Sequence, residues 1–192
     1  MVMIKNMFAE AIFMEQTNLS NNKLFDKAIE IKTVMPNGTQ WACDTYNSLG
    51  SYDLEKDKDY KVVVDMAKQY VESFSLQYGL TSPNVKCNDS WVNVAAPGAF
   101  QEYHLHPNNH FSAVYYVRVP EGSGDLILRS AETQTDMFPL PLGEETVFTN
   151  KTYRITPRDG MMVVFRSNVL HMVTKNLSEE PRVSVAMNFE VS

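Results

Sequence analysis

Between Asn21 and Met35 the apolar residues Leu24, Phe25, Ala28, Ile29 and Ile31 recur at the three- and four-residue steps of one helical face, and the turn signal Pro36-Asn-Gly38 closes the run. Lys61 to Tyr78 carries the same period more strongly. Val63, Met66, Ala67, Tyr70, Val71 and Phe74 make a single stripe, with Gly79 where a left-handed residue ends a helix. A stripe of this kind is expected to pack on a sheet and to serve stability. Ahead of the first helix, Met7 to Met14 is short and apolar-rich and predicts a strand able to add to a sheet edge. Residues 39 to 58 are polar, with a charged run from Asp53 to Asp59, and predict a solvated surface loop.

After the turn at Thr81-Ser-Pro-Asn84 the texture changes to short apolar runs separated by Pro, Gly, Asn and Asp. Eight strands are predicted, over 90–95, 101–106, 111–118, 125–129, 146–150, 161–166, 171–174 and 182–190. Many short strands at regular spacing form a sandwich or barrel, and eight in two sheets form a jelly roll. The expected fold is therefore mainly β with N-terminal helices. It is read as a single domain over 1–192, in which 1–80 packs on a core formed by 85–192. Residues 130 to 158, rich in Thr, Pro and Glu, exceed what a hairpin needs and are expected to shape substrate access.

Composition narrows the picture. With 44% hydrophobic and 21% charged residues the chain is an ordinary folded one, and a net charge of −6 provides no electrostatic footprint for nucleic acid or an anionic membrane. Two cysteines, Cys43 and Cys87, make neither a disulfide framework nor a Cys-x-x-Cys motif, which favours a reducing compartment. No apolar run reaches the roughly 18 residues of a membrane span, and the first ten residues alternate too soon for a signal-peptide core. A soluble, cytoplasmic protein is expected, and a homodimer is left open. There is no Gly-x-Ser-x-Gly elbow, Walker loop or dinucleotide fingerprint, and nothing sets either cysteine beside a histidine.

The candidate chemistry lies in Tyr103-His-Leu-His-Pro-Asn-Asn-His110, which holds three of the four histidines; the fourth is His171. His104 and His106 are two apart, so on a strand both rings leave one face and can converge on one ion. Downstream stand Tyr115-Tyr116-Val117, the turn Pro157-Arg-Asp-Gly160, His171, and then Arg182-Val-Ser184. With Trp91-Val-Asn93 ahead of them, these segments resemble, in order from about Ser90 to Phe189, the small 2-oxoglutarate/Fe(II) oxygenases of the His-x-His-Pro type found in phages and bacteria.

The resemblance implies a double-stranded β-helix of cupin-like form, Fe(II) and 2-oxoglutarate as cofactors, and a dioxygenase activity, as in a hydroxylase; the substrate, a small molecule or a protein or peptide, is not named by the sequence. It makes His104 the first iron ligand and His171 the last. His106 then stands where most such sites have Asp or Glu, so three neutral imidazoles would replace the usual two plus an anion. Glu102, counted to the same strand face, and His110, across the turn, stay open as alternatives for that ligand. Arg182 is expected to hold the far carboxylate of 2-oxoglutarate by two charge-assisted hydrogen bonds, with Ser184 adding a third. Asn93-Val-Ala-Ala-Pro-Gly98 is similar to the Asn-x-Tyr-x-Pro-Gly stretch of the alkylated-base demethylases, which implies a cosubstrate contact for Asn93. Ala95 replaces their Tyr, so Tyr116 or Tyr115 would supply the phenol. Trp91 is expected in the core. Two other readings remain: a three-His cupin dioxygenase without 2-oxoglutarate, distinguished by whether Arg182 faces the metal, and a non-catalytic jelly-roll binding or virion-associated module.

Overall fold

The computed structural model describes residues 10–38, 42, 44–131, 141–144, 146 and 148–192. Its two helices are those the apolar periods predict. Helix α1 (Asn22–Val34) buries Leu24, Ala28 and Ile31, and α2 (Lys61–Gln77) buries Val63, Val64, Ala67, Val71 and Phe74. Gly79 follows α2 with φ 86°, the conformation that ends the helix without a Cβ penalty.

Among the described residues ten strands form two antiparallel sheets: β1 (Ile12–Gln16), β2 (Thr45–Asn47), β3 (Val85–Ala95), β4 (Gln101–His104), β5 (Phe111–Arg118), β6 (Leu126–Arg129), β7 (Thr152–Ile155), β8 (Met161–Arg166), β9 (Leu170–Val173) and β10 (Arg182–Val191). The large sheet has the order β1-β8-β5-β10-β3-β2 and the small one β4-β9-β6-β7. From β3 onward the chain passes between the sheets at every connection but the β6–β7 hairpin, which is the jelly-roll path. β1 adds to the edge of the large sheet by pairing with β8. Among the described residues no helix is long and apolar enough to cross a membrane.

Several boundaries depart from the pattern of the sequence. The first strand lies at Ile12–Gln16, shifted C-terminally from the predicted Met7–Met14, whose first three residues lie outside the described residues. The polar stretch 39–58 contains β2, whose Thr45, Tyr46 and Asn47 are all buried against β3. No strand forms among the described residues of 146–150; Phe148 and Thr149 are in a turn, and the strand is β7 instead. Of the expected access loop, 132–140, 145 and 147 lie outside the described residues.

Two apolar cores result. The larger lies between the helices and the outer face of the large sheet, with Val64, Val71, Phe111, Tyr115, Val185 and Met187 among its buried members. The smaller lies between the sheets and includes Leu126, Leu128, Ile155, Val163 and Phe165. At Gly160 (φ 80°), an added Cβ would come within 3.0 Å of the Thr17 carbonyl, so the turn into β8 is closed by a residue without one.

Candidate active site

A pocket lined by both polar and apolar side chains opens between the two sheets, on the side of the large sheet away from the helices. His104, His106 and His171 line one part of it, and Asn93, Tyr116, Arg182 and Ser184 line another. The strand register accounts for the grouping. His104 at the end of β4 is directly paired with His171 on β9, while Ser184 on β10 lies between Asn93 on β3 and Tyr116 on β5. Six of the seven side chains come from β3, β4, β5, β9 and β10, and His106 lies just beyond the end of β4 rather than on the strand expected to reach it, so widely separated segments of both sheets meet in the space between them.

The three imidazoles offer nitrogen atoms that all lie within 4.8 Å of one another, a set that could hold a metal ion. Their ring centroids are 4.2 Å apart for His104 and His171 and 5.1 Å for either with His106. Hydrogen bonds fix two of the tautomers. His104 Nδ1 is 2.7 Å from the Glu102 carbonyl and His171 Nδ1 is 2.8 Å from that of Val169. A carbonyl only accepts, so each Nδ1 carries the proton and each Nε2 presents a lone pair.

Burial and the proximity of the rings favour the neutral form. His106 is pushed down to about 4 and His171 to about 3, by burial first and by the neighbouring His104 second, and burial likewise lowers His104. At neutral pH all three are unprotonated bases, the state a metal requires. The site therefore fits a borderline divalent ion such as Fe(II).

Of the two alternatives for the third ligand, His110 is engaged elsewhere, and Glu102 is engaged through one carboxylate oxygen while its Oε2 is buried without a partner among the described residues. Glu102 Oε1 accepts the Ala42 N–H at 2.7 Å, and His110 Nδ1 accepts the Val191 N–H at 3.0 Å. Counting two residues back from His104 puts Glu102 on the ligand face only in a regular strand. The β4–β9 register shifts between Gln101 and His104, so Gln101 faces the pocket in its place.

The other part of the pocket is rich in donors. Arg182 is 3% exposed, gives one hydrogen bond of 3.2 Å to the Ser123 carbonyl, and has a buried Nε with no partner. Among the described residues no carboxylate pairs with it; Asp125, the acid nearest in effect, is bonded to Arg154. Gly124 (φ 99°) lets the chain pass, since a Cβ there would meet the Thr174 carbonyl at 2.3 Å and Arg182 Nη1 at 3.2 Å. Tyr116 is pushed up to about 12 by burial, with Arg182 acting against it, and so stays a phenol donor. Trp91 Nε1 donates to Asn93 Oδ1 at 3.2 Å, which leaves the Asn93 NH₂ to face the pocket. Trp91 is buried as expected, yet it is also pocket wall. A buried guanidinium beside a phenol, a hydroxyl and an amide NH₂ is a cradle for a carboxylate.

Tyr115 takes the opposite face of β5. Its hydroxyl donates to Asn21 Oδ1 at 2.6 Å, within the helix-facing core. Ser112 and Asn188, which line the pocket beside the histidines, carried no signal in the sequence: each is one polar position in an alternating strand.

Many solved structures share this fold. A prolyl-4-hydroxylase from Pseudomonas putida aligns over 94% of this chain and 92% of its own with a TM-score of 0.61 and 18% identity. A prolyl hydroxylase from Trichoplax adhaerens, in complex with a hypoxia inducible factor peptide fragment, aligns over 93% and 82% with a TM-score of 0.63 and 14% identity. The α-ketoglutarate-dependent carbocyclase SnoK of nogalamycin biosynthesis aligns over 94% and 79% with a TM-score of 0.65 and 13% identity. At such identities the likeness is one of fold. No curated protein matches significantly. The family described as "putative 2OG-Fe(II) oxygenase" matches residues 89–188, just over half the chain, from within β3 to Asn188, a span that carries the histidines and Arg182. On that match the chain belongs to the 2-oxoglutarate/Fe(II) oxygenases, with Fe(II) and 2-oxoglutarate as its cofactors.

Proposed function

We propose that the protein is a hydroxylase whose Fe(II) is held by His104, His106 and His171, and whose 2-oxoglutarate is anchored through its far carboxylate by Arg182 and Ser184, with Asn93 and Tyr116 as further donors. The observation that carries this reading is the juxtaposition, in one buried pocket, of three neutral imidazoles and a guanidinium that lacks an anionic partner among the described residues. Iron, when bound, couples the reduction of O₂ to oxidative decarboxylation of 2-oxoglutarate, yielding succinate, CO₂ and a hydroxylated product. The protein's own share is placement. Arg182 and Ser184 fix one end of the 2-oxo acid, Tyr116 and Asn93 donate protons in hydrogen bonds that stay in place throughout, and the apolar walls Leu126, Phe165 and Val173 exclude water.

The substrate is proposed to be a small molecule or a peptide, the classes named for the structural neighbours. The whole chain is taken to act as one domain, in the cytoplasm; the packing of both helices on the large sheet and the sparse cysteines support this.

Anaerobic titration with Fe(II) and 2-oxoglutarate tests the assignment. The parent is expected to bind both, His104→Ala to lose Fe(II), and Arg182→Ala to keep Fe(II) while binding 2-oxoglutarate about 30-fold or more weakly, since loss of a buried charge partner costs roughly 2–5 kcal/mol. Equal cosubstrate affinity in the Arg182→Ala protein would favour a three-His dioxygenase that does without 2-oxoglutarate.

A further inference from the structure

Two of the three proposed iron ligands are oriented by carbonyls of their own strands, and the third is not. His104 and His171 each donate from Nδ1 to the residue two places back. Among the described residues, the group that reaches His106 Nδ1 is the side-chain amide of Asn188, 3.5 Å away. We propose that Asn188, backed by Ser112 and Ser167, is the positioning residue for His106, and that this hydrogen-bond chain reverses direction when the metal binds. The inference rests on His106 being a ligand.

The chain is continuous and buried. Asn188 Oδ1 is 2.9 Å from Ser112 Oγ, and Ser112 Oγ is 2.9 Å from Ser167 Oγ. Asn188, Ser112 and Ser167 are 5%, 3% and 1% exposed, so bulk water competes little for these bonds. Ser167 also holds the backbone of His106, whose N–H donates to the Ser167 carbonyl at 3.1 Å. Ring and main chain of His106 are thus tied to the same small network.

The direction of the bonds decides which ring nitrogen is available. With the Asn188 NH₂ toward His106, Nδ1 must accept and the ring proton sits on Nε2, where it blocks a metal. A half-turn of the amide about Cβ–Cγ puts Oδ1 toward His106 instead. Nδ1 then carries the proton and donates to Oδ1, and Nε2 presents its lone pair. The Asn188 NH₂ now donates to Ser112 Oγ, and Ser112 donates to Ser167. Every heavy-atom pairing survives. Hydroxyls at positions 112 and 167 make this reversal satisfiable, because a hydroxyl donates or accepts as required. A carbonyl could serve only the metal-bound state, as it does for the other two histidines.

The test uses the full ¹⁵N-labelled chain with Zn(II) as a diamagnetic probe, read by long-range proton–nitrogen correlation of the imidazoles and by zinc titration. His106 is expected to move from the Nε2–H to the Nδ1–H tautomer on zinc addition, with the zinc-induced shift on Nε2, while His104 and His171 keep Nδ1–H throughout. Asn188→Ala should weaken zinc binding about 10- to 100-fold, the range for a lost outer partner of a ligand histidine. Asn188→Asp, which keeps an acceptor toward Nδ1, should restore it to within a few-fold. The proposal is overturned by a His106 tautomer that zinc leaves unchanged, or by an Asn188→Ala protein that binds zinc as tightly as the parent. Should Asn188→Ala not fold, the tautomers of the parent decide alone. A zinc shift at His104 and His171 with none at His106 overturns the ligand assignment itself, and this inference with it.

Discussion

The two faces of β10 are equally buried and chemically opposite. From Arg182 to Phe189 every residue is buried. Val183, Val185 and Phe189 join the core under the helices, as does Met187, which also borders the pocket, whereas Arg182, Ser184, Ala186 and Asn188 line the pocket alone. The outer face follows the ordinary rule, in which apolar area removed from water stabilises the fold at about 25 cal/mol per Å². The inner face works against it, since a buried polar group without a partner costs roughly 1–3 kcal/mol. Such a cost is tolerated where a ligand supplies the partner. One strand therefore separates the part of the molecule that holds the fold from the part kept ready for chemistry, and substitutions on its two sides should fail in different ways.

The largest effect is expected on the inner side. His171→Ala removes a proposed ligand and should lower Fe(II) affinity by more than about 100-fold, beyond the 10- to 100-fold range for losing an outer partner of a ligand, with the thermal midpoint of the metal-free protein unchanged or raised. Calorimetry and melting curves measured side by side would show a single shared defect if the two faces were not separable. On the outer side, Phe189→Ala opens a cavity in the helix-facing core and should cost about 3–5 kcal/mol of stability. Below its melting temperature it should bind Fe(II) and 2-oxoglutarate as the parent does, so a loss of affinity there would blur the division.

Acid should act through the inner face. His106 and His171 titrate near 4 and 3 in the folded metal-free protein, below the usual value of about 6.5 in an unfolded chain. The unfolded state takes up protons first as pH falls. Their contribution is fully present above about pH 6.5 and is lost progressively toward pH 3. Denaturant titrations of the metal-free protein should show this decline, and it should shrink in His171→Ala; a slope that the substitution leaves untouched would assign the acid sensitivity to other groups.

The smallest contrast is between neighbouring tyrosines. Tyr115→Phe loses the bond to Asn21 and should cost about 1 kcal/mol of stability with no change in cosubstrate affinity. Tyr116→Phe should do the reverse, weakening 2-oxoglutarate about 5-fold for one lost hydrogen bond while the melting temperature stays. An identical response from both would remove the reason for placing them on different faces.

Much of this arrangement is legible in the sequence, and its gaps have physical causes. The helix stripes and the alternation of β5 and β10 follow directly from apolar spacing. What alternation does not reveal is whether its polar half meets water or another sheet. Arg182-Val-Ser-Val-Ala-Met-Asn-Phe189 has the pattern of a half-solvated strand, so Asn188 and Ser112 offered nothing to distinguish them from surface residues. Glu102 was counted to the ligand face because the strand was assumed regular, and the register shift in β4 turned it toward Ala42. β2 is hidden in a polar stretch because its Thr45 and Asn47 are buried by pairing with β3 rather than by their own hydrophobicity. The displacement of the predicted strand from 146–150 to Thr152–Ile155 follows the partner: it is Leu126–Arg129 that fixes which residues can pair.

The most direct test of the division between the two faces is a crystal structure of the protein loaded anaerobically with Fe(II) and 2-oxoglutarate. The expected result is one iron bound by His104, His106 and His171, with the far carboxylate of 2-oxoglutarate on the Arg182 guanidinium and the helix-facing core unchanged. An iron that takes Glu102 or His110 in place of His106, or a 2-oxoglutarate whose far carboxylate lies away from Arg182, would contradict it.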